Sequence, residues 1–313
     1  MRTAFRFHVS RHRVLVAAGL AALLPWLAVG MAGAQSLEAE LDEPQHGPVD
    51  GQCVVLLHGL GRTHRSMGRI ESALREAGFA TANIDYPSQS QSIEASALQA
   101  VPEGLRECRA AGAHTVHFVT HSMGGLVLRY YLSGHKVPEL GRVVMLGPPN
   151  QGSEVADALA GTALYDRING PAGGQLVTGP EGMPARLGPV GFALGVIAGN
   201  EQTAIDSVMA TRIHGANDGK VAVARAKVEG MHDFLVLPVN HTFMVINDVV
   251  IGQTLHFLRH GAFVHEVQPR ANPATSAGNP AEAAATFSST SARVISPASP
   301  QPAAQLATIA RQA

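Results

Sequence analysis

Three polar residues stand out because each lies just past an apolar run that reads as a strand. Ser122 closes "TVHFVTHS", Asp218 in "ANDGKV" lies beyond "TRIHG", and His241 in "VNHTF" directly follows "FLVLPV". A serine hydroxyl is a poor nucleophile until a base takes its proton, and an imidazole serves as that base when a carboxylate orients it and stabilises its cation. Together the three residue types supply the chemistry of acyl transfer. Gly124 and Gly125 follow the serine and leave room for a tight turn that lifts its hydroxyl out of a sheet, with a helix N-terminus behind it. The local pattern is T-x-S-x-G, where the nucleophile elbow has G-x-S-x-G. Thr120 still sits in strand geometry that suits a β-branched side chain, so it bears on packing beneath the turn.

Other residues compete for these roles. His232 precedes its strand and belongs to the wrong edge, and His214 shares the stretch beyond "TRIHG" with Asp218. Asp85, at the end of "NIDYP", is either an alternative acid or the cap of a turn. Fifteen histidines invite a metal reading, but no H-E-x-x-H or Cys-His cluster is present. His117 and His121 share a strand face about 13 Å apart, too far for one ion, so neither metal nor cofactor is expected. Asn240 opens an N-H-T sequon, where a glycan would block the neighbouring histidine.

The elements that must position these residues alternate. "CVVLLHG", "FATANIDYP", "TVHFVTHS", "RVVMLGPP", "TRIHG" and "FLVLPV" read as six strands, several of them continuous apolar runs expected of strands buried on both faces. Between them fall helical patterns. One is N-capped by Ser66, with Met67, Ile70, Leu74 and Ala77 on one face and Gly78 closing it. Another has Ile93, Leu98, Val101, Leu105 and Cys108 on one face and Pro102 expected to kink or split it. A third follows Ser122, and a last one ends near Gly261. Such alternation predicts an α/β fold with a mainly parallel sheet covered on both faces, whose functional residues gather at the carboxyl ends of the strands. The domain spans about 52–267. A Gly/Pro-rich stretch, about 155–210, is long for a connection and reads as a cap or lid insertion.

With the ordered strings "LLHGLGRT", "THSMGGLV", "LGPPNQGS", "ANDGKV" and "VNHTF" in this sequence, the chain resembles the α/β-hydrolases. The resemblance is to their lipase and esterase branch, which includes bacterial lipases and inositol-deacylase-like proteins. It implies Ser122 as nucleophile, Asp218 as acid and His241 as base. It also implies an oxyanion hole from the backbone N–H groups of Leu60 and Met123, with His58 shaping the loop that carries Leu60. The expected activity is hydrolysis of carboxylic esters through an acyl-enzyme, on a small-molecule or lipid ester. Transfer of the acyl group to an alcohol, or binding without catalysis on the same scaffold, are the alternatives.

Bulk properties narrow the setting. A formal net charge of −1 and a charged content of 15% give no field that would gather nucleic acid, although a contact with a membrane or lipid interface is left open. Arg2, Arg6, Arg11 and Arg13 precede an apolar run from Val14 to Met31 and then Ala32-Gly33-Ala34, the layout of a signal peptide over 1–34 with cleavage before Gln35. Export to a periplasm or the exterior follows; an uncleaved membrane anchor is the alternative. Residues 35–51 read as a lead-in and 268–313, rich in Ala, Ser and Pro, as a disordered tail. Cys53 and Cys108 both fall near the amino edge of the sheet, either as a disulfide or as two buried thiols. Oligomeric state is not legible.

Overall fold

The computed structural model describes residues 50–204, 206 and 211–265. The expected signal peptide, most of the lead-in and the tail lie outside the described residues. Strands β1 (Gln52–Leu57), β2 (Ala80–Ile84), β3 (Thr115–His121), β4 (Leu140–Leu146), β5 (Leu194–Gly199) and β6 (Asp233–Leu237) form one sheet in the order β2-β1-β3-β4-β5-β6. Every neighbouring pair is parallel, so all six carboxyl ends share one edge.

Parallel strands require crossovers, and the helices that make them cover both faces. Helices α1 (Gly68–Glu76) and α7 (Asp248–His260) take one face, α2 (Ile93–Ala110) and α3 (Met123–Gly134) the other. Alternate side chains of β1, β3, β4 and β5 therefore enter different cores. Val54, Leu56, Val119, Val144 and Ile197 pack with Ile70, Leu74, Val250 and Phe257. Val55, Leu57, Phe118, Met145 and Val196 pack with Ile93, Ala97, Leu126 and Val127. Each such side chain contributes about 1.5–3 kcal/mol of burial, which explains the consecutive apolar residues of β1 and β4. Among the described residues no helix is long and apolar enough to cross a membrane.

Four local expectations are corrected. The fifth strand is β5, inside the stretch read as an insertion, whereas Thr211 to Gly215 form turns and bends. Short helices α4 (Glu154–Leu159), α5 (Ala163–Gly174, broken at Gly170) and α6 (Met183–Leu187) occupy the part before β5. Pro102 lies within α2 without splitting it. The carbonyl it leaves unpaired belongs to Leu98, which sits on the outer flank with 52% of its side chain exposed, so that water can replace the lost donor. Leu98 is accordingly not on the core face, which is built instead from Ala97, Ala100, Val101 and Leu105. Ser66 does not cap α1: it lies in a 3-10 turn, His64–Met67, its hydroxyl donating to the Thr63 carbonyl at 2.8 Å.

Cys53 and Cys108 are joined in a disulfide, with Cα atoms 5.6 Å apart and a sequence separation of 55. It ties the start of β1 to the end of α2. Closing a loop of this length removes chain entropy from the unfolded state, and its loss typically costs about 2–4 kcal/mol. The double variant Cys53→Ala/Cys108→Ala should lower the free energy of unfolding, read from urea titrations, by that amount; an unchanged midpoint would remove the bridge from the stability of the domain.

Candidate active site

Ser122 follows β3 directly and precedes the first residue of α3. Its backbone has φ 53° and ψ −124°, and it is the one residue other than glycine with positive φ among the described residues. Such a conformation costs about 1–3 kcal/mol and persists only where its surroundings enforce it. Here the Ser122 N–H donates to the Leu146 carbonyl of β4 at 2.8 Å, and its carbonyl accepts from Gly125 N–H at 3.0 Å. The turn also presses against β1. A Cβ on Gly124 would stand 2.5 Å from the Leu57 carbonyl oxygen and 2.8 Å from that of His58. Thr120 packs beneath, fully buried, its hydroxyl without a hydrogen-bond partner among the described residues. The misfit to the elbow pattern is thus one of packing.

Asp218 and His241 arrive from other strands. Asp218 lies in a tight turn after the excursion that follows β5, its Oδ1 accepting from the N–H groups of Lys220 at 3.0 Å and Val221 at 2.8 Å. Its other oxygen meets His241 Nδ1 at 2.7 Å. His241 sits four residues past β6, and its Nε2 lies 3.0 Å from Ser122 Oγ. With Nδ1–H donated to the carboxylate, Nε2 is left to accept from the hydroxyl. Ser122, His241 and Asp218 thereby form one hydrogen-bonded chain across the carboxyl edge. A Cβ on Gly147 would stand 3.1 Å from both His241 Nδ1 and Asp218 Oδ2, so the chain at the end of β4 must be bare there.

The loop after β1 is held by His58 and Tyr86. The buried His58 ring stacks on Tyr86 with centroids 4.1 Å apart, its Nδ1–H donates to the Gly59 carbonyl at 2.9 Å, and its Nε2 accepts from Tyr86 N–H at 3.3 Å. The Tyr86 hydroxyl donates back to the His58 carbonyl. Burial, ahead of every other influence, lowers the His58 pKa and so favours the neutral ring this pattern needs. The neighbouring amides of Gly61 and Arg62 are engaged, by Ser88 Oγ and the Gly59 carbonyl, whereas those of Leu60 and Met123 have no hydrogen-bond partner among the described residues. Beside this loop lies a cleft of about 380 Å³ lined by Arg62, Thr63, Tyr86, Pro87, Ser88 and Ser90.

Asp85 is the turn cap, accepting from the His64 N–H at 3.0 Å, and it takes no part in the chain around Ser122. His214 is exposed and His232 bonds the Leu194 amide at the opposite edge. Sequence reasoning missed what holds the acid turn. The Ser153 hydroxyl donates to the Lys220 carbonyl at 2.8 Å, Asn150 Nδ2 to that of Ala226 at 2.9 Å, and Gln151 Nε2 to that of Lys227 at 3.0 Å. The string "PPNQGS" thus clamps the segment that carries Asp218, and only the string itself, not its purpose, was legible.

The palmitoyl protein thioesterase family model matches residues 53–173, a stretch that carries Leu60 and Ser122 and stops short of Asp218 and His241. No curated protein sequence matches the chain. Among solved structures, the mature form of a Bacillus licheniformis lipase is similar with a TM-score of 0.55 and 20% identity, over 71% of this chain and 96% of that one. Its propeptide form gives a TM-score of 0.56 and 21% identity over 68% and 52%. A metagenomic carboxyl esterase gives a TM-score of 0.51 and 18% identity over 68% and 77%. The chain has the α/β-hydrolase fold.

Two substitutions under the turn should behave oppositely. Gly124→Ala forces a methyl group into backbone and should abolish soluble expression or activity. Thr120→Val removes only the unpaired hydroxyl and should retain activity while raising stability by about 1 kcal/mol in denaturant titrations. A disrupted Thr120→Val protein would mean that the hydroxyl has a partner.

Proposed function

We propose that this protein is a serine hydrolase that cleaves carboxylic esters through an acyl-enzyme. The observation that carries the reading is the continuous hydrogen-bonded chain from Ser122 Oγ through the His241 ring to the Asp218 carboxylate. His241 Nε2 takes the hydroxyl proton as Ser122 Oγ attacks the ester carbonyl, and Asp218 holds the ring and stabilises its cation. The Leu60 and Met123 N–H groups bind the oxyanion of the tetrahedral intermediate, each worth about 3–4 kcal/mol of the barrier in enzymes of this chemistry. The imidazolium then protonates the leaving alcohol, and water, activated by the same ring, releases the acid.

The likeness to a lipase and a carboxyl esterase supports an ester or lipid substrate. The segment 154–187 acts as the cap. Gln89, from the cleft beside Leu60, donates to the Ile168 carbonyl of α5 at 2.5 Å, and Leu164 and Ile168 on that helix are 71% and 51% exposed, an apolar surface suited to a lipid interface. A thioester substrate is the second reading, favoured by the family match over the segment that carries the nucleophile. The disulfide fits export, with the segment before Gln35 as the signal.

Initial rates on p-nitrophenyl esters from acetyl to palmitoyl, alongside acyl thioesters of the same lengths, test both readings. Turnover that rises with acyl length and falls by orders of magnitude in Ser122→Ala is expected. A maximum at acetyl would refute the lipid leaning, and undiminished turnover by Ser122→Ala would refute the mechanism. Transfer to an added alcohol in preference to water would mark an acyltransferase.

A further inference from the structure

His121 ends β3, immediately before Ser122, and nothing in the proton path above uses it. It is buried, 3% exposed. Its Nε2 lies 3.0 Å from the main-chain oxygen of His241, an acceptor only, so Nε2 carries the hydrogen. Its ring lies against that of His241 with centroids 4.9 Å apart and planes tilted by 43°. With the proton on Nε2, the other nitrogen is a bare acceptor, and Nδ1 has no hydrogen-bond partner among the described residues. That nitrogen faces the oxyanion loop: a Cβ on Gly59 would be 3.1 Å from it and 3.0 Å from Ser122 Cβ.

A phenylalanine would fill this space without burying an unpaired acceptor. The feature of histidine that is used is the single N–H donated to His241. We infer that His121 is a positioning residue, which fixes the backbone of the base His241 from the strand that presents the nucleophile. The inference rests on the assignment of Ser122 and His241 made above. His241 is then held by both of its main-chain polar groups, its own N–H donating to the Asp218 carbonyl at 3.0 Å and its carbonyl accepting from His121. Base, acid and nucleophile are thereby tied through main chain as well as through side chains.

The arrangement also needs a neutral ring. His241 becomes a cation in each half-reaction, and a second charge in contact with it would oppose that step. Burial, with the His241 charge next in importance, holds the His121 pKa well below the usual histidine value. The guanidinium of Arg62 and the ring of His58 act in the same direction.

The test compares wild type, Ser122→Ala, His121→Phe and His121→Gln on one p-nitrophenyl ester, with thermal melts for each. A misplacement of the base by a fraction of an ångström acts on the chemical step, so His121→Phe should lose about 10- to 100-fold in kcat with KM changed by less than about threefold. His121→Gln, which restores an N–H donor, should recover most of that loss. Three results would overturn the inference: His121→Phe equal to wild type, His121→Gln no better than His121→Phe, or both variants failing to fold, since the fold rather than the base would then depend on this residue. A wild type inactive on this ester and across the acyl series above would instead defeat the functional reading, which separates the two failures.

Discussion

The strained turn at Ser122 is the constraint around which the rest is arranged. A serine at positive φ is unfavourable by itself, and it is enforced by a main-chain bond to β4, by the bond from Gly125 and by the carbonyls at the end of β1 close to Gly124. Both neighbours must be parallel to β3 for their carboxyl ends to reach it. Parallel pairing in turn requires crossover helices on both faces, and those helices require central strands with apolar side chains on both faces. Strain in one residue is thus carried by two hydrophobic cores, each far larger in energy than the conformation it supports.

The same edge gathers the partners from distant parts of the chain. Ser122 and His241 come from just past β3 and β6, Asp218 from the turn that ends the excursion after β5, and the bare backbone of Gly147, at the end of β4, lies under the bond between Asp218 and His241. Their placement therefore depends on sheet register, and each connecting segment is secured separately. Main-chain amides hold the Asp218 carboxylate, side chains of Asn150, Gln151 and Ser153 hold its turn, and His58 with Tyr86 holds the loop of Leu60. Polar side chains do this work because loops lack the apolar surface that fixes the strands.

Much of this was legible because the residues concerned announce themselves locally. Apolar runs marked β1 and β4, apolar residues near period two marked β3, and a serine with two glycines close behind it marked the elbow. β5 was hidden: "LGVIAG" is short, contains two glycines and follows a Gly/Pro-rich stretch, so its burial on both faces does not register as a strand. "TRIHG" imitated one with a single buried isoleucine. Asp218 was nonetheless singled out, since "ANDGKV" encodes its own tight turn whatever precedes it. The clamp on that turn and the contact of His121 with His241 were not legible, because both join residues about 70 to 120 positions apart and neither leaves a local pattern.

The central claim is that Ser122 Oγ becomes acylated, and the most direct measurement looks for that bond. Protein mixed with p-nitrophenyl butyrate and quenched in acid within seconds should gain the mass of one butyryl group, located by peptide mapping on the fragment that contains Ser122 and absent from Ser122→Ala. A butyryl group on another residue, with none on Ser122 while the ester is turned over, would contradict it.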